Sequence, residues 1–175
     1  MPVAPLDAIP PGTDVFIDAN IFVYGLQEHS AQCGGLLRRC ATEVVYGVTT
    51  LEVIAEATHR LMLAEAVREG IIKKESASSL RQRPAAITKL TTYWTKAESI
   101  LGMNIMVLPT DEARHRRAHL VRSAEGLLTN DSLIVAAMRE YGLGRLASAD
   151  KGFDHIQGLT RYSPTDLPEA VQPQP

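Results

Sequence analysis

The sequence predicts an α/β fold in which a mostly parallel sheet of about five strands is covered by helices on both faces. Short β-branched runs alternate with longer stretches in which apolar residues recur at helical spacing. The 175 residues are 45% apolar and 22% charged, which is typical of one globular domain and enough for a single core. This composition excludes collagen, a coiled-coil rod and disorder throughout the chain.

Five strands are predicted where short apolar runs meet polar or turn residues. They cover Asp14–Ile17, Val44–Val48, Ile105–Leu108, Arg145–Ser148 and Thr160–Tyr162. Their alternation with helical stretches is typical of a parallel sheet.

Helices are predicted in the gaps between the strands. One covers Leu51–Arg68, one begins near Thr110 and ends near Glu125, and one covers Ser132–Tyr141. A further apolar stripe follows Pro84 and consists of Ile87, Leu90, Trp94, Ala97 and Leu101, which places Trp94 in the core. Because about 55 residues separate the second and third strands, we expect a helical excursion over about 68–102.

Both chain ends are predicted to be irregular, since four prolines lie in residues 1–12 and four more after Ser163. We expect a domain over 13–164, an N-terminal arm over 1–12 and a Pro-rich tail over 165–175.

No apolar run approaches the ~18 residues that span a bilayer, and no signal peptide is evident, so we expect a cytoplasmic protein without a membrane partner. Cys33 and Cys40, about 10 Å apart on a helix, are predicted to be reduced.

Two acidic residues follow predicted strands, and a third begins a predicted helix. Asp18 follows Val15–Ile17, Asp150 follows the fourth strand, and Asp131 begins a helix. Because ligands bind at the carboxyl ends of parallel strands, we expect these acids to meet at one edge. Glu56 in the helix after the second strand could reach the same edge, and Glu52 is its alternative.

Clustered carboxylates need a counter-charge, because two of them ~4 Å apart repel by roughly 4 kcal/mol at an effective dielectric near 20. Oxygen ligands suit Mg²⁺ or Mn²⁺ better than zinc, and such an ion assists attack on a phosphodiester. Taken singly, the acids have ordinary explanations: Asp18 and Asp131 could cap helices, and Glu56 could pair with Arg60 four residues later.

Four segments of the chain resemble the successive motifs of PIN domains. These are Phe16–Ile21, Thr49–Glu56 with His59–Leu61, Leu128–Ala136, and Ser148–Asp154, and together the resemblance covers about 14–164. The VapC-type toxins are the most similar members. The resemblance implies a three-layer α/β/α sandwich and a Mg²⁺-dependent endoribonuclease, with Mn²⁺ as a substitute ion. It also implies an RNA substrate, a cognate antitoxin partner and a homodimer.

The resemblance implies roles for individual residues. The metal-binding and catalytic acids match Asp18, Glu56, Asp131 and Asp150, and Asp154 matches a further acid that can hold metal through water. Glu56 is favoured over Glu52 because it lies six residues after Thr50. The supporting polar residues match Asn20, Thr50 and Ser148.

Basic and aromatic residues bear on how the protein would contact RNA. Arg114 and Arg117 share a face of one predicted helix and are candidate RNA-binding residues. Only 5% of the residues are aromatic, which argues against base recognition by aromatic stacking.

Two alternative functions stay open. One is a haloacid-dehalogenase-like phosphatase, which expects aspartate where Asn20 stands. The other is a catalytically silent PIN-like scaffold that binds RNA or protein.

Overall fold

In the computed structural model, which describes residues 3–168, a single six-stranded sheet forms the centre of the protein. Its strands are β1 (Ala4–Pro5), β2 (Asp14–Ile17), β3 (Tyr46–Thr50), β4 (Met106–Leu108), β5 (Arg145–Ala147) and β6 (Thr160–Ser163). Their order across the sheet is β1-β6-β5-β2-β3-β4, and every neighbouring pair is parallel. The predicted fold class is therefore confirmed, with strand boundaries that differ by up to two residues.

Residues 3–168 also contain eight α-helices. They are α1 (Ala19–Leu26), α2 (Ala31–Ala41), α3 (Leu51–Arg68), α4 (Ala77–Arg81), α5 (Pro84–Ile87), α6 (Thr92–Leu101), α7 (Glu112–Glu125) and α8 (Thr129–Glu140). Helix α7 packs against α8, while α1 packs against α2 and α3, and α3 against α6. None of these helices is long and apolar enough to cross a membrane.

The segment predicted as an N-terminal arm is part of the folded domain. Strand β1 pairs with β6 at the sheet edge, and Leu6 and Ile9 are buried in the main core. The start of the predicted tail is also held, because Asp166 accepts hydrogen bonds from the Ser30 hydroxyl (2.6 Å) and the Gln32 backbone N–H (3.1 Å). Residues 169–175 of that tail lie outside the described residues.

The core lies on both faces of the sheet. Val15, Phe16 and Ile17 of β2 are all fully buried, which explains why this strand is a continuous apolar run without polar alternation. Cys33 and Cys40 are buried free thiols, as predicted. Burial raises the pKa of Cys33 to about 12 and that of Cys40 to about 11, so both stay protonated at neutral pH.

The predicted helical excursion is present and forms a second, smaller core. Leu63, Ala66, Ile72, Leu80 and Leu90 are buried together there. The expectation that Trp94 lies in the core was wrong, since its side chain is 53% exposed. The stripe is interrupted where α5 ends at Ile87 and α6 begins at Thr92, and within α6 Trp94 and Leu101 border an open groove beside α3.

A buried carboxylate attaches this excursion to α3. Glu65 accepts hydrogen bonds from the backbone N–H groups of Thr91 (3.1 Å), Thr92 (3.1 Å) and Tyr93 (2.7 Å) at the start of α6. Burial opposes ionisation of Glu65, but these three N–H groups outweigh it and lower the pKa of the carboxyl. Glu65 thus supplies the hydrogen-bond acceptors that the first turn of α6 lacks.

Candidate active site

An acidic pocket of about 250 Å³ lies at the carboxyl ends of β2 and β5, beside α1, the N-terminal half of α3 and the first turn of α8. It is lined by Asp18, Asn20, Tyr24, Glu56, Arg60, Asp131 and Asp150. The structure thus brings the four acids predicted from sequence to one place, although they come from four separate segments of the chain.

Asp18 is the most buried of these acids, with 7% of its surface exposed. It follows β2 and caps α1, so that one carboxylate oxygen, Oδ1, accepts a hydrogen bond from the Ala19 backbone N–H (2.7 Å). The other oxygen, Oδ2, accepts hydrogen bonds from the Ser148 hydroxyl (2.7 Å) and from the Asn20 side-chain amide. These donors fix the orientation of the carboxylate.

The pKa of Asp18 is raised from its ordinary value of 3.8 to about 6. Burial is the largest cause, and the negative charges of Glu56 and Asp131 add to it, while the bonds from Ser148 and Ala19 oppose it. Ionisation of Asp18 is therefore costly unless a positive charge enters the pocket.

Asn20 and Ser148 connect the ends of β2 and β5. The Asn20 carbonyl oxygen accepts a hydrogen bond from the Ala149 backbone N–H (2.9 Å), and its amide donates to the Ser148 hydroxyl (3.1 Å). Ser148 also accepts from the Asp150 backbone N–H (3.0 Å). Thr50, the third supporting residue suggested by the resemblance, is buried at the end of β3 and does not line the pocket.

The other three acids surround Asp18 from different helices and loops. Glu56 on α3 accepts a hydrogen bond from the Asn130 side chain (3.1 Å), and Asp150 accepts one from the Gly152 backbone N–H (2.7 Å). Asp131 lies in the first turn of α8, where burial and then the charges of Asp150 and Glu56 raise the pKa of its carboxyl. The pocket therefore has an excess of negative charge.

The acids line one pocket but are not drawn into a tight cluster. Within residues 3–168, no group of three His, Cys, Asp or Glu side chains is arranged closely enough to hold a metal ion. Glu52, the alternative to Glu56, accepts a hydrogen bond from Thr110 (2.8 Å) and does not line the pocket. Asp154 also lies outside the lining and pairs with Arg161 (2.6 and 3.0 Å), whose guanidinium lowers the pKa of Asp154.

The two arginines predicted to bind RNA are placed differently from that expectation. Arg114 is 2% exposed and donates to Glu140 (2.8 Å), and Arg117 pairs with the same carboxylate (2.9 Å). Neither lines the acidic pocket. The helix that was expected to begin at Thr110 is capped by Asp111, whose carboxylate accepts from the Arg114 backbone N–H (2.7 Å).

Two side chains in the pocket were not among the predicted site residues. Tyr24 lies four residues after Asn20 on α1, and Arg60 lies four residues after Glu56 on α3. The spacing of one helical turn from a site residue is the sequence signal that indicates both of them. The ion pair considered between Glu56 and Arg60 is not among those formed within residues 3–168.

Known proteins resemble this chain in sequence and in fold. The family model described as "PIN domain" matches residues 15–159. A VapC ribonuclease from Mycobacterium bovis and the ribonuclease VapC13 from Mycobacterium tuberculosis are each 27% identical to this chain over 154 residues, covering 85% of this chain and 99% of the relative.

A solved structure also shares the fold. It is the crystal structure of VapBC2 from Rickettsia felis bound to a DNA fragment from their promoter, with a TM-score of 0.55 and 15% identity. The match covers 86% of this chain and 98% of that chain. With the family model matching most of its length, the chain belongs to the PIN domain family, and its resemblance to the VapC-type members is confirmed.

Proposed function

We propose that this protein is a Mg²⁺-dependent endoribonuclease that hydrolyses RNA phosphodiester bonds at the acidic pocket. The observation that carries the proposal is the meeting of Asp18, Glu56, Asp131 and Asp150 in one pocket of a PIN domain. The relatives named VapC ribonucleases, which match almost end to end, support the ribonuclease activity.

The chemistry of the lining side chains fits a divalent cation, although the carboxylates would have to draw closer together around it than they lie in the structure. All four acids offer carboxylate oxygens, the ligands that Mg²⁺ and Mn²⁺ prefer over nitrogen and sulfur. The raised pKa of Asp18 reflects burial and repulsion from Glu56 and Asp131, both of which a bound cation would offset. We assign metal binding to Asp18, Glu56, Asp131 and Asp150, and leave out Asp154 because Arg161 occupies its carboxylate.

The chain itself supplies orientation and electrostatics for the reaction. Ser148 and the Ala19 N–H hold the Asp18 carboxylate in one orientation, and Asn20 ties it to the end of β5. A bound Mg²⁺ supplies two effects: it lowers the pKa of a coordinated water and neutralises charge on the phosphodiester. Asn20, which stands where the phosphatase alternative expects aspartate, is engaged in this support, so no observation favours that alternative.

Cleavage of RNA by purified protein tests the proposal. Total cellular RNA is incubated with wild type or Asp18→Asn in Mg²⁺, in Mn²⁺ and in EDTA, and the fragment ends are mapped. We expect discrete cuts by wild type with either metal, and none in EDTA or with Asp18→Asn. Equal cleavage by the variant would refute the assignment, and absence of cleavage under every condition would favour a scaffold that only binds RNA or protein.

We further propose that the chain is the toxin of a toxin–antitoxin pair, with a cognate antitoxin as protein partner and a homodimer as its own assembly. The relatives' VapC names and the fold shared with VapBC2 support this role. An apolar groove of about 400 Å³ between α3 and α6, where Leu51, Trp94 and Leu101 are exposed, supports contact with a protein partner.

Growth tests the toxin role. Expression of wild type without an antitoxin is expected to slow growth, whereas expression of Asp18→Asn is expected to be harmless. Light scattering of that harmless variant measures its oligomeric state. Unimpaired growth with wild type at good yield would contradict the toxin role.

A further inference from the structure

Besides its four carboxylates and Asn20, the acidic pocket contains an arginine held over an aromatic ring. The guanidinium carbon of Arg60 lies 5.7 Å from the centroid of the Tyr24 ring. Tyr24 is buried on α1, and Arg60 is half-buried on α3, one turn after Glu56. Among the described side chains that line the pocket, Arg60 is the one with a positive charge.

The hydrogen-bond donors of Arg60 are not used within the described part of the protein. No ion pair or side-chain hydrogen bond of Arg60 is formed there, even though Glu56 is one turn away on the same helix. A contact with an aromatic ring does not use up the N–H donors of a guanidinium, so those of Arg60 stay available for a ligand. Arg114 also lies over a ring, that of Tyr141 at 5.5 Å, but its Nε and Nη1 donate to Glu140 and Thr110, whereas Arg60 has no such partner among the described residues.

An RNA strand would meet strong repulsion in this pocket. Four carboxylates and one guanidinium line it, so the side chains leave an excess of negative charge where a phosphate must enter. A guanidinium presents donors in a planar fork that matches two phosphate oxygens. Among the described lining groups, the unpaired donors of Arg60 are suited to this contact.

We propose that Arg60, positioned by the ring of Tyr24, binds a phosphate group of the RNA backbone at the acidic pocket; this inference rests on the proposed ribonuclease function. Arg60 is then a substrate-binding residue. Tyr24 is a positioning residue that acts through Arg60. The contact is independent of base identity, in keeping with the small number of aromatic residues in the sequence.

RNA affinity measured without cleavage tests the proposal. The probe is a fluorescein-labelled single-stranded RNA of mixed sequence, followed by anisotropy in EDTA with Asp18→Asn as the parent protein, so that the RNA stays intact. Each single phosphate contact contributes about −0.7 to the slope of log affinity against log salt for single strands. Arg60→Ala is expected to weaken binding about tenfold and to make that slope less steep by about 0.7.

Matched variants separate a phosphate contact from a general loss of charge. Arg60→Lys keeps a point charge without the planar fork, so it is expected to restore the salt slope but only part of the affinity. Arg38→Ala removes one exposed positive charge from α2, outside the pocket lining, and is expected to change neither quantity.

Variants of Tyr24 test the positioning role. Tyr24→Phe keeps the ring and is expected to bind like the parent protein. Tyr24→Leu removes the ring and is expected to weaken binding in the same direction as Arg60→Ala, with the same change of salt slope. Circular dichroism and thermal melting confirm that each variant is folded before its affinity is compared.

A folded Arg60→Ala with the affinity and salt slope of its parent would overturn the inference, because Arg60 would then serve only as a counter-charge to the acids. Failure of the proposed ribonuclease function has a different signature. In that case wild type cuts no RNA in Mg²⁺ or Mn²⁺, while Arg60→Ala still loses affinity and the phosphate contact stands.

Discussion

Replacement of Asp18 by asparagine removes a buried negative charge, and its effect on stability is expected to depend on pH. Burial first, and then the charges of Glu56 and Asp131, raise the pKa of Asp18 from 3.8 to about 6 in the folded protein. Between these two values the folded protein binds more protons than the unfolded chain. The free energy of unfolding of wild type therefore falls as the pH rises through this window.

The magnitude follows from the two pKa values. Their difference, at about 1.4 kcal/mol for each pH unit, amounts to about 3 kcal/mol, most of it lost between about pH 4 and pH 7. Asparagine also disturbs the hydrogen bond from the Asn20 amide, but that cost does not change with pH. The stability of Asp18→Asn minus that of wild type is therefore expected to rise by about 2 to 3 kcal/mol over this range.

Urea unfolding followed by circular dichroism, in EDTA and at several pH values, measures this difference. Glu75→Gln, which removes an exposed carboxylate before α4, serves as the control and is expected to show a much smaller change. A stability difference between Asp18→Asn and wild type that stays constant from pH 4 to pH 7 would refute the reasoning. Excess Mg²⁺ is expected to stabilise wild type by about 2.7 kcal/mol at one hundred times its dissociation constant, and Asp18→Asn by less.

Three further variants test the structure elsewhere. Glu65→Gln is expected to lower the free energy of unfolding in urea by about 2 kcal/mol, because an amide offers one acceptor oxygen to the three backbone N–H groups at the start of α6. Glu69→Gln, at an exposed position, is the control, and an equal loss of stability in the two variants would contradict the role of Glu65. Gly47→Ala places a methyl group 2.9 Å from the Ile105 side chain, so we expect the free energy of unfolding to fall by about 1–3 kcal/mol and the melting temperature to fall with it. An unchanged melting temperature would contradict this expectation. Arg114→Ala is expected to destabilise the fold more than Arg117→Ala, because Arg114 is buried and Arg117 is not. RNA binding measured by anisotropy is expected to stay unchanged, and weaker RNA binding by a folded Arg114→Ala would support the role of Arg114 in RNA binding predicted from sequence.

The parts of the fold that could be predicted are those fixed by neighbouring residues. The buried run Val15–Ile17 indicates a strand covered on both faces, and an acid directly after it lies at the carboxyl end of the sheet. The same reasoning placed Asp150, and the helical spacing of 51–68 placed Glu56 on α3. Local pattern and parallel topology were enough to expect acids at one edge, but the choice of Glu56 over Glu52 came from the resemblance to PIN domains.

The parts that could not be predicted depend on contacts between distant segments. Leu6 and Ile9 are buried because β1 pairs with β6, more than 150 residues later in the chain, and proline content gives no sign of that pairing. Arg114 is buried because α8 brings Glu140 to it, although its own helix is rich in charge. Trp94 is exposed because it borders the open groove between α3 and α6, where no other part of the described chain covers it.

The most direct test of the central claim is calorimetric titration of Mn²⁺ into metal-free protein at neutral pH. Wild type and Glu75→Gln are expected to bind the ion with the same affinity, whereas Asp18→Asn and Asp131→Asn are expected to bind it at least tenfold more weakly. Equal affinity in all four proteins, or no binding to wild type, would contradict the claim that these carboxylates form a divalent-metal site.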